Sequence, residues 1–319
     1  MAAAKGFEEQ SAALDRLREQ SAELAQTALR KALQQRNNFL VAKAARIAGE
    51  LRLTSLTAEL ASAFLRFMPE SGDDPVKTDP QCWAKNDIGK TLAAFEYQEH
   101  ELFLVGMRHH QMEPVWGGRS DTAGALRGTC ALALVQCRQV NSTRLLGWLT
   151  ELFADEDSTV RVNAARAVEQ VGSDAAMLLL KLRAELASDS AELLGACYGG
   201  VLRLEGPSAI PWAARFLSAA DDGAAEAALA IAETRTPQAF DLLKSTFDGK
   251  RALMDPWFRG ALLSAIALTR QQAATDWLLG QIENGGRDGA EAHDALCGSA
   301  PTNAVLQQLK KLRRPCPAA

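Results

Sequence analysis

Apolar residues recur at helical spacing through most of the chain, and segment 155–186 shows the pattern clearly. A first apolar stripe, with a period near 3.6 residues, consists of Val160, Ala164, Ala167, Val168 and Val171. Gly172-Ser173-Asp174 follows, and such a triplet typically ends one helix and caps the next. A second stripe consists of Ala175, Leu178, Leu179, Leu182 and Leu186. The segment therefore predicts a helical hairpin.

The same unit recurs along the chain at nearly constant intervals. Acidic helix starts fall at Asp121, Asp157, Asp189, Asp222, Asp255 and Asp288, separated by 36, 32, 33, 33 and 33 residues. Apolar stripes on the second helices are Ile210/Ala213/Leu217, Phe240/Leu243/Phe247 and Ala274/Leu278/Ile282. A lone hairpin cannot bury its apolar face, so neighbouring hairpins must stack. We therefore predict an all-α fold, an α-solenoid or superhelix of stacked antiparallel helical hairpins.

The amino-terminal part is less regular and suggests a division into three regions. Residues 1–68 are predicted to hold an N-terminal capping helix, roughly 8–35, and a first irregular repeat. The capping helix carries apolar residues at heptad-like spacing, namely Leu14, Leu17, Leu24 and Ala28. The Pro-rich segment 69–81 is predicted to be a linker loop. Residues 82–319 are predicted to form the repeat array, which ends in a C-terminal capping helix.

The composition and net charge of the chain limit the kinds of molecule that the protein is expected to bind. Apolar residues make up 47% of the chain and aromatic residues only 6%, so the predicted core consists mainly of small aliphatic side chains. The net charge of −4 argues against nucleic-acid binding, which usually needs a basic surface. No signal-peptide core and no apolar run of membrane-spanning length is found. A cytoplasmic protein without membrane contact is the resulting expectation.

The six cysteines show no CxxC pair and no spacing typical of a zinc finger. They are Cys82, Cys130, Cys137, Cys197, Cys297 and Cys316. This spacing predicts free thiols rather than disulfides or a zinc site.

The segment "DSTVRVNAARAVEQVGSDAA" (157–176) resembles the HEAT-like repeat class, especially the short form known from phycobilisome lyases. The resemblance rests on an Asp-led turn, Val-Arg, paired alanines and a Val-Gly ending. It covers residues 121–300 well and 36–110 loosely. The resemblance implies the fold but indicates little about function, because the residues of the repeat pattern serve to pack the helices together. It also implies that Asp157 and Arg161 cap helices and link neighbouring repeats.

"RHHQMEPVWGGRSD" (108–121) departs from this pattern and is the first candidate site. We expect a loop between helices at 99–110 and 120–137, because Pro114 stops a helix and Gly117-Gly118 permits a tight turn. The candidate binding residues are His109, His110, Glu113, Trp116 and Arg119. Trp116 either folds onto its own helices, the outcome we expect, or anchors a partner together with Arg119.

The second candidate site is a row of arginines on the helices expected to line the concave side of the superhelix. It consists of Arg127, Arg161, Arg166, Arg203 and Arg259. The alternative for this row is an ordinary solvated helix face.

The sequence shows no nucleophile–base or acid–base pair, and we predict neither a metal nor a cofactor. The expected function is a non-enzymatic scaffold or adaptor that binds another protein on the solenoid surface. One alternative is a bilin lyase-like factor for chromophore attachment, suggested by the repeat resemblance. Another is a DNA-repair glycosylase on a HEAT-like scaffold, although the net negative charge of the chain argues against it.

Overall fold

The computed structural model describes residues 2–69, 72, 74–186, 188–249 and 255–317, with side chains described from residue 6 onward. The chain separates into two compact units, Met1–Val171 and Gly172–Ala319. This boundary differs from the predicted division, because the Pro-rich segment 69–81 lies inside the first unit.

The first unit consists of ten helices and one β-hairpin in its described part. The helices are α1 Ala2–Asp15, α2 Ala22–Leu33, α3 Asn38–Glu50, α4 Thr57–Arg66, α5 Pro75–Thr78, α6 Trp83–Ala94, α7 His100–Met107, α8 Gly124–Val135, α9 Ser142–Leu152 and α10 Ser158–Val171. The strands are β1 Met112–Val115 and β2 Gly118–Asp121. Four helices form a row in which each packs on the next, in the order α3, α6, α8 and α10. Helices α4, α7 and α9 pack on α6, α8 and α10, respectively.

The second unit repeats this arrangement with helices alone in its described part. They are α11 Asp174–Glu185, α12 Ala191–Glu205, α13 Ile210–Ala214, α14 Asp222–Glu233, α15 Pro237–Phe247, α16 Pro256–Leu268, α17 Gln272–Asn284, α18 Gly286–Gly298 and α19 Asn303–Lys311. Helices α12, α14, α16 and α18 pack in succession. Each unit is thus a stack of antiparallel helices, and the predicted all-α fold of the solenoid class is confirmed.

Most of the apolar stripes read from the sequence form the core. Val160, Ala164, Ala167 and Val168 are buried, as are all nine residues of the three second-helix stripes. The predicted stripe on α11 is wrong, since Leu178, Leu182 and Leu186 are 56–61% exposed. Ala176, Leu180 and Ala184 are buried instead. This helix carries two apolar rows at i, i+4 spacing, and only packing against α12 decides between them.

The helix starts are held by side-chain caps near the predicted positions. Ser173 accepts a hydrogen bond from the main-chain N–H of Ala176, and Asp221 accepts one from Ala224. Asp255 accepts from both Trp257 and Phe258. Such caps satisfy N–H groups that have no partner within the helix.

The predicted single helix at 8–35 is two helices, separated by a short 3₁₀ turn at Arg16–Glu19. Leu24, which the heptad-like spacing assigned to the apolar face, is 64% exposed. The buried side of α2 carries Ala25, Leu29, Ala32 and Leu33. The break rotates α2, so the heptad does not continue across it.

The Pro-rich segment 69–81, predicted as a linker loop, contains ordered elements in its described part. Its residues 70, 71 and 73 lie outside the described part, but α5 and a 3₁₀ turn at Pro80–Cys82 are ordered elements. Asp79 between them is fully buried. A buried carboxylate needs several polar partners, and those partners tie this segment to the core.

The prediction of free thiols throughout is wrong for one pair, because Cys297 and Cys316 form a disulfide. The other four cysteines are free and buried, as predicted. Cys316 lies 19 positions after Cys297, and the chain reverses between α18 and α19 to bring them together. Spacing rules for local motifs do not detect such a pair.

In the described part of the chain, no helix combines the length and apolar character needed to cross a membrane.

Candidate functional site

The irregular stretch at 108–121 forms a β-hairpin, not the loop that the sequence predicted. Helix α7 ends at Met107, and β1 pairs antiparallel with β2 in a register that sets Val115 opposite Gly118. Trp116 and Gly117 form the turn, and Gly117 has a φ of +88°. This conformation favours glycine. His109 and Glu113 therefore do not lie on a common helix face.

Glu113 anchors the hairpin to the body of the first unit. One carboxylate oxygen accepts hydrogen bonds from the Gln81 main-chain N–H (2.5 Å), Gln111 Nε2 (2.7 Å) and Thr122 Oγ1 (2.6 Å). Burial alone would raise the pKa of Glu113, but these three donors outweigh it and lower the pKa. The carboxylate is thus held charged beneath the hairpin.

Beneath Glu113 lies a fully buried ion pair between Asp79 and Lys85, with 3.1 Å between Lys85 Nζ and Asp79 Oδ2. Asp79 also accepts from the main-chain N–H groups of Ala84 and Lys85, and its main-chain oxygen accepts from Gln111 Nε2. The pair connects segment 74–82, helix α6 and the hairpin. Because each charge is compensated, the polar network fixes the position of the hairpin.

The chain enters α6 through two consecutive residues with left-handed backbone angles. Gln81 has a φ of 58° and Cys82 a φ of 54°. Residues with side chains adopt this region at a cost of about 1 kcal/mol or more each. The hydrogen bond from the Gln81 N–H to Glu113 is one interaction that offsets this cost.

A cavity of about 490 Å³ opens beside the hairpin within the first unit. Its lining includes His110 and Met112 from the hairpin segment and Arg127 from α8. Five carboxylates and two guanidiniums line it, from Asp121, Glu151, Asp155, Glu156, Asp157, Arg108 and Arg127. The excess of negative charge suits a cationic group rather than phosphate or nucleic acid.

Arg127 is the buried centre of the polar groups in this cavity. Its guanidinium donates to both Asp155 carboxylate oxygens (2.7 and 2.9 Å), to Asp121 Oδ2 (2.6 Å) and to the His109 main-chain oxygen (3.1 Å). Burial alone would raise the pKa of Asp121, but main-chain N–H groups at Gln111 and Ala123 and the Arg127 guanidinium lower it to about 2. The cavity wall is therefore a rigid, charged network.

His110 Nδ1 lies 3.0 Å from Asp121 Oδ2, while its side chain is largely exposed. A carboxylate that holds one ring nitrogen fixes the orientation of the imidazole and leaves the other nitrogen available for proton transfer. None of the residues that line this cavity in the described part is a Ser, Thr or Cys. The arrangement can exchange protons but holds no side-chain hydroxyl or thiol nucleophile.

The tip of the hairpin is apolar and open to solvent. Trp116 is 102% exposed, so the expected packing of this side chain onto its own helices is wrong. Met112 and Val115 on β1 are about half exposed. Arg119 donates across the hairpin to the Met112 main-chain oxygen (2.8 Å). No residue in the described part of the first unit covers the indole.

The structure distributes the five predicted loop residues over three roles. His109 is buried and contacts Gln111 (3.1 Å), and Glu113 is buried in the anchoring network. His110 faces the cavity, while Trp116 and Arg119 lie on the exposed hairpin. Sequence reasoning missed the site roles of Asp79, Lys85, Gln111 and Asp121, because the network forms only where Gln111 meets Asp79 across 32 positions of the chain.

The five predicted arginines lie on one row of helices in each unit, namely α8, α10, α12 and α16. Arg127 and Arg259 pair with the aspartates Asp155 and Asp288, which lie at the start of the next helix in the row. Arg203 contacts Glu233 on α14 (3.2 Å). These ion pairs link neighbouring repeats, the role that the HEAT-like resemblance implied for an Asp and Arg pair.

Arg161 and Asp157 act within one turn. Arg161 donates to the main-chain oxygens of Asp155 and Glu156, and Asp157 accepts from the Thr159 N–H. Arg166 is exposed. A binding role for Arg161, Arg166 and Arg203 remains a prediction.

No protein-family model matches the chain, and no curated protein matches it by sequence. Among solved structures, it is similar to human deoxyhypusine hydroxylase in complex with glycerol, with 18% identity. The match covers 81% of this chain and 88% of the hydroxylase, at a TM-score of 0.30. At these values the likeness transfers neither residues nor activity to this chain.

The comparison nevertheless corrects one prediction. We expected a protein without enzymatic activity, because the sequence shows no nucleophile–base or acid–base pair. The solved structure that the chain matches is named as a hydroxylase, an enzyme, and this finding contradicts that expectation.

Proposed function

We propose that this protein binds another protein through the hairpin Met112–Asp121, with Trp116 as the central anchor. The observation that carries the proposal is the complete exposure of Trp116 at the turn of an ordered hairpin. Tryptophan is among the residues most enriched at the energetic centres of protein interfaces. Its large apolar surface gains free energy only when a partner covers it.

The anchored position of the hairpin supports the proposal. Binding loses affinity when a loop must be ordered, so a hairpin that is already fixed binds at lower entropic cost. Glu113 on β1 accepts hydrogen bonds of 2.5–2.7 Å, and the main-chain oxygen of Asp79 accepts one from Gln111 (2.8 Å). The buried network thus holds the hairpin that carries Trp116 in one position.

The charges near the hairpin indicate the chemistry of the partner. Met112 lies both on the exposed strand and in the lining of the acidic cavity. A complementary surface has an apolar pocket for Trp116 and, beside it, basic side chains that enter the cavity. We therefore infer a partner with an apolar pocket flanked by lysine or arginine.

The experiment compares Trp116→Ala with Trp257→Ala, in which a half-exposed tryptophan of the second unit is removed. The immobilised full chain and both variants are used to capture proteins from native lysate, which are quantified by mass spectrometry. The captured protein is then purified and its Kd measured by calorimetry. We expect about thirtyfold weaker binding for Trp116→Ala, equivalent to about 2 kcal/mol, and unchanged binding for Trp257→Ala.

Thermal melting separates binding from stability in this experiment. Since Trp116 makes no buried contact, its replacement should leave Tm within about 1 °C of the original chain. Equal Kd values for the original chain and Trp116→Ala would disprove the proposal. The bilin lyase-like function, the glycosylase function and the cytoplasmic location remain predictions.

A further inference from the structure

Three potential metal ligands meet at the carboxyl end of the described chain. His293 and Cys297 lie one turn apart on α18, and Cys316 follows α19. One donor atom from each residue lies within 4.8 Å of the other two. All three side chains are half-buried, and Cys297 and Cys316 are joined as a disulfide with Cα atoms 5.6 Å apart.

The distance between the first two ligands matches a tetrahedral zinc site. Cys297 Sγ lies 3.6 Å from His293 Nε2. Zinc bonds of about 2.3 Å to sulfur and 2.0–2.1 Å to nitrogen place these atoms about 3.6 Å apart in a tetrahedron. Helix α18 therefore already holds its two donors at the separation that the ion requires.

The second nitrogen of His293 has the environment common around metal-bound histidines. Nδ1 lies 3.3 Å from Asp294 Oδ1. A ligating histidine usually donates its other N–H to a carboxylate or carbonyl, which orients the ring. In the disulfide form, Nε2 contacts the Arg314 main-chain oxygen at 3.0 Å. Shifting the proton to Nδ1, toward Asp294, frees Nε2 for an ion.

We propose that the reduced protein binds one Zn²⁺ through His293 Nε2, Cys297 Sγ and Cys316 Sγ, and that the Cys297–Cys316 disulfide excludes the ion. Three protein ligands leave a fourth position for water. The C-terminal segment is then held to α18 in both states, by a covalent bond when oxidised and by the ion when reduced.

A phosphine can reduce the disulfide and so convert the oxidised form into the form that binds zinc. The phosphine attacks the disulfide, the S–S bond breaks, and water supplies the oxygen of the resulting phosphine oxide and the protons of two thiols. Zn²⁺ then displaces both thiol protons and binds the two thiolates. In the reverse direction, a small aromatic disulfide accepts two electrons from the thiolates, which re-form the protein disulfide and release the ion.

The remaining cysteines do not compete for the ion. Burial raises the pKa of the Cys82 and Cys197 thiols to about 12 and also raises the pKa of Cys130 and Cys137. A thiol of this kind stays protonated at neutral pH, whereas zinc needs the thiolate. Cys197→Ala is therefore a matched control for the two ligand cysteines.

The test is a cobalt titration of the full chain, reduced with phosphine and then desalted under argon. Co²⁺ reports tetrahedral thiolate coordination through intense visible d–d bands and a near-ultraviolet charge-transfer band. We expect one equivalent to bind and to be displaced by one equivalent of Zn²⁺. The oxidised chain and the reduced Cys316→Ala variant should show no such bands, while Cys197→Ala should behave like the original chain.

His293→Ala and Asp294→Ala distinguish the three-ligand site from a chance dithiol. We expect at least tenfold weaker cobalt binding for His293→Ala and about tenfold for Asp294→Ala. Far-UV circular dichroism verifies folding, and His293→Gln replaces His293→Ala if the latter unfolds. Absence of the bands in the reduced chain, or equal affinity in both histidine variants and the original chain, would overturn the proposal.

Discussion

At the scale of single residues, the most consequential groups are the buried charges beneath the hairpin. Asp79 and Lys85 are fully buried and paired, and Glu113 and Asp121 are held ionised by hydrogen-bond donors. A buried charge is tolerated only with its partners present. Their removal should therefore affect stability far more than removal of an exposed pair.

Lys85→Met should lower the free energy of unfolding by about 3–5 kcal/mol, because it leaves the Asp79 carboxylate buried without its cation. Arg46→Met is the matched control, since it breaks the more exposed pair between Arg46 on α3 and Asp87 on α6, the helix that carries Lys85. We expect that control to cost about 1 kcal/mol or less. Urea unfolding of both variants measures the difference, and equal losses would contradict the assigned role of the buried pair.

Asp121 should make stability depend on acidity. Its pKa falls from 3.8 to about 2 on folding. The stabilisation of the folded state by Asp121 is therefore complete at pH values above the pKa of the unfolded chain, and it is lost as pH falls from about 4 to 2. The contribution corresponds to about 2 kcal/mol at neutral pH. Asp121→Asn should flatten the stability profile between pH 4 and 2. An unchanged slope in urea unfolding across that range would refute the assignment.

At the scale of elements, the hairpin depends on its turn. Gly117 and Gly118 are adjacent, and a Cβ at either would meet nothing within 4 Å, but only Gly117 has a left-handed φ. Gly117→Ala should therefore destabilise the hairpin by about 1 kcal/mol, while Gly118→Ala should not. Hydrogen exchange of the amides at 112–121 measures this, and equal protection in both variants would argue against a strained turn.

At the scale of the whole molecule, each unit has its own core, so each should fold by itself. Residues 1–171, expressed alone, should retain helical circular dichroism and unfold cooperatively. Removal of residues 255–319 should expose the faces of α14 and α15 that pack on α16, yet leave the preceding helices largely helical. Complete loss of helicity in either truncated chain would contradict a modular stack.

The helices and their repetition can be predicted from the amino-acid pattern alone. The apolar period and the capping residues act through neighbours three or four positions apart, so they can be read locally, and the 33-residue interval is the recurrence of that local pattern. Val160, Ala164 and Val168 are buried as the pattern predicted. Where one helix carried two apolar rows, as α11 does, local pattern could not choose between them.

The hairpin and the two sites depend on contacts between residues that are far apart along the chain. Glu113 receives its hydrogen bond from Gln81 across 32 positions, and Cys297 meets Cys316 across 19. The exposure of Trp116 depends on the direction in which the anchored hairpin projects. These features arise where the chain returns to an earlier helix. The separation of two residues along the sequence does not show whether they meet in this way. The periodic pattern specifies how helices stack, whereas the polar contacts between distant segments specify what the stack presents to a ligand.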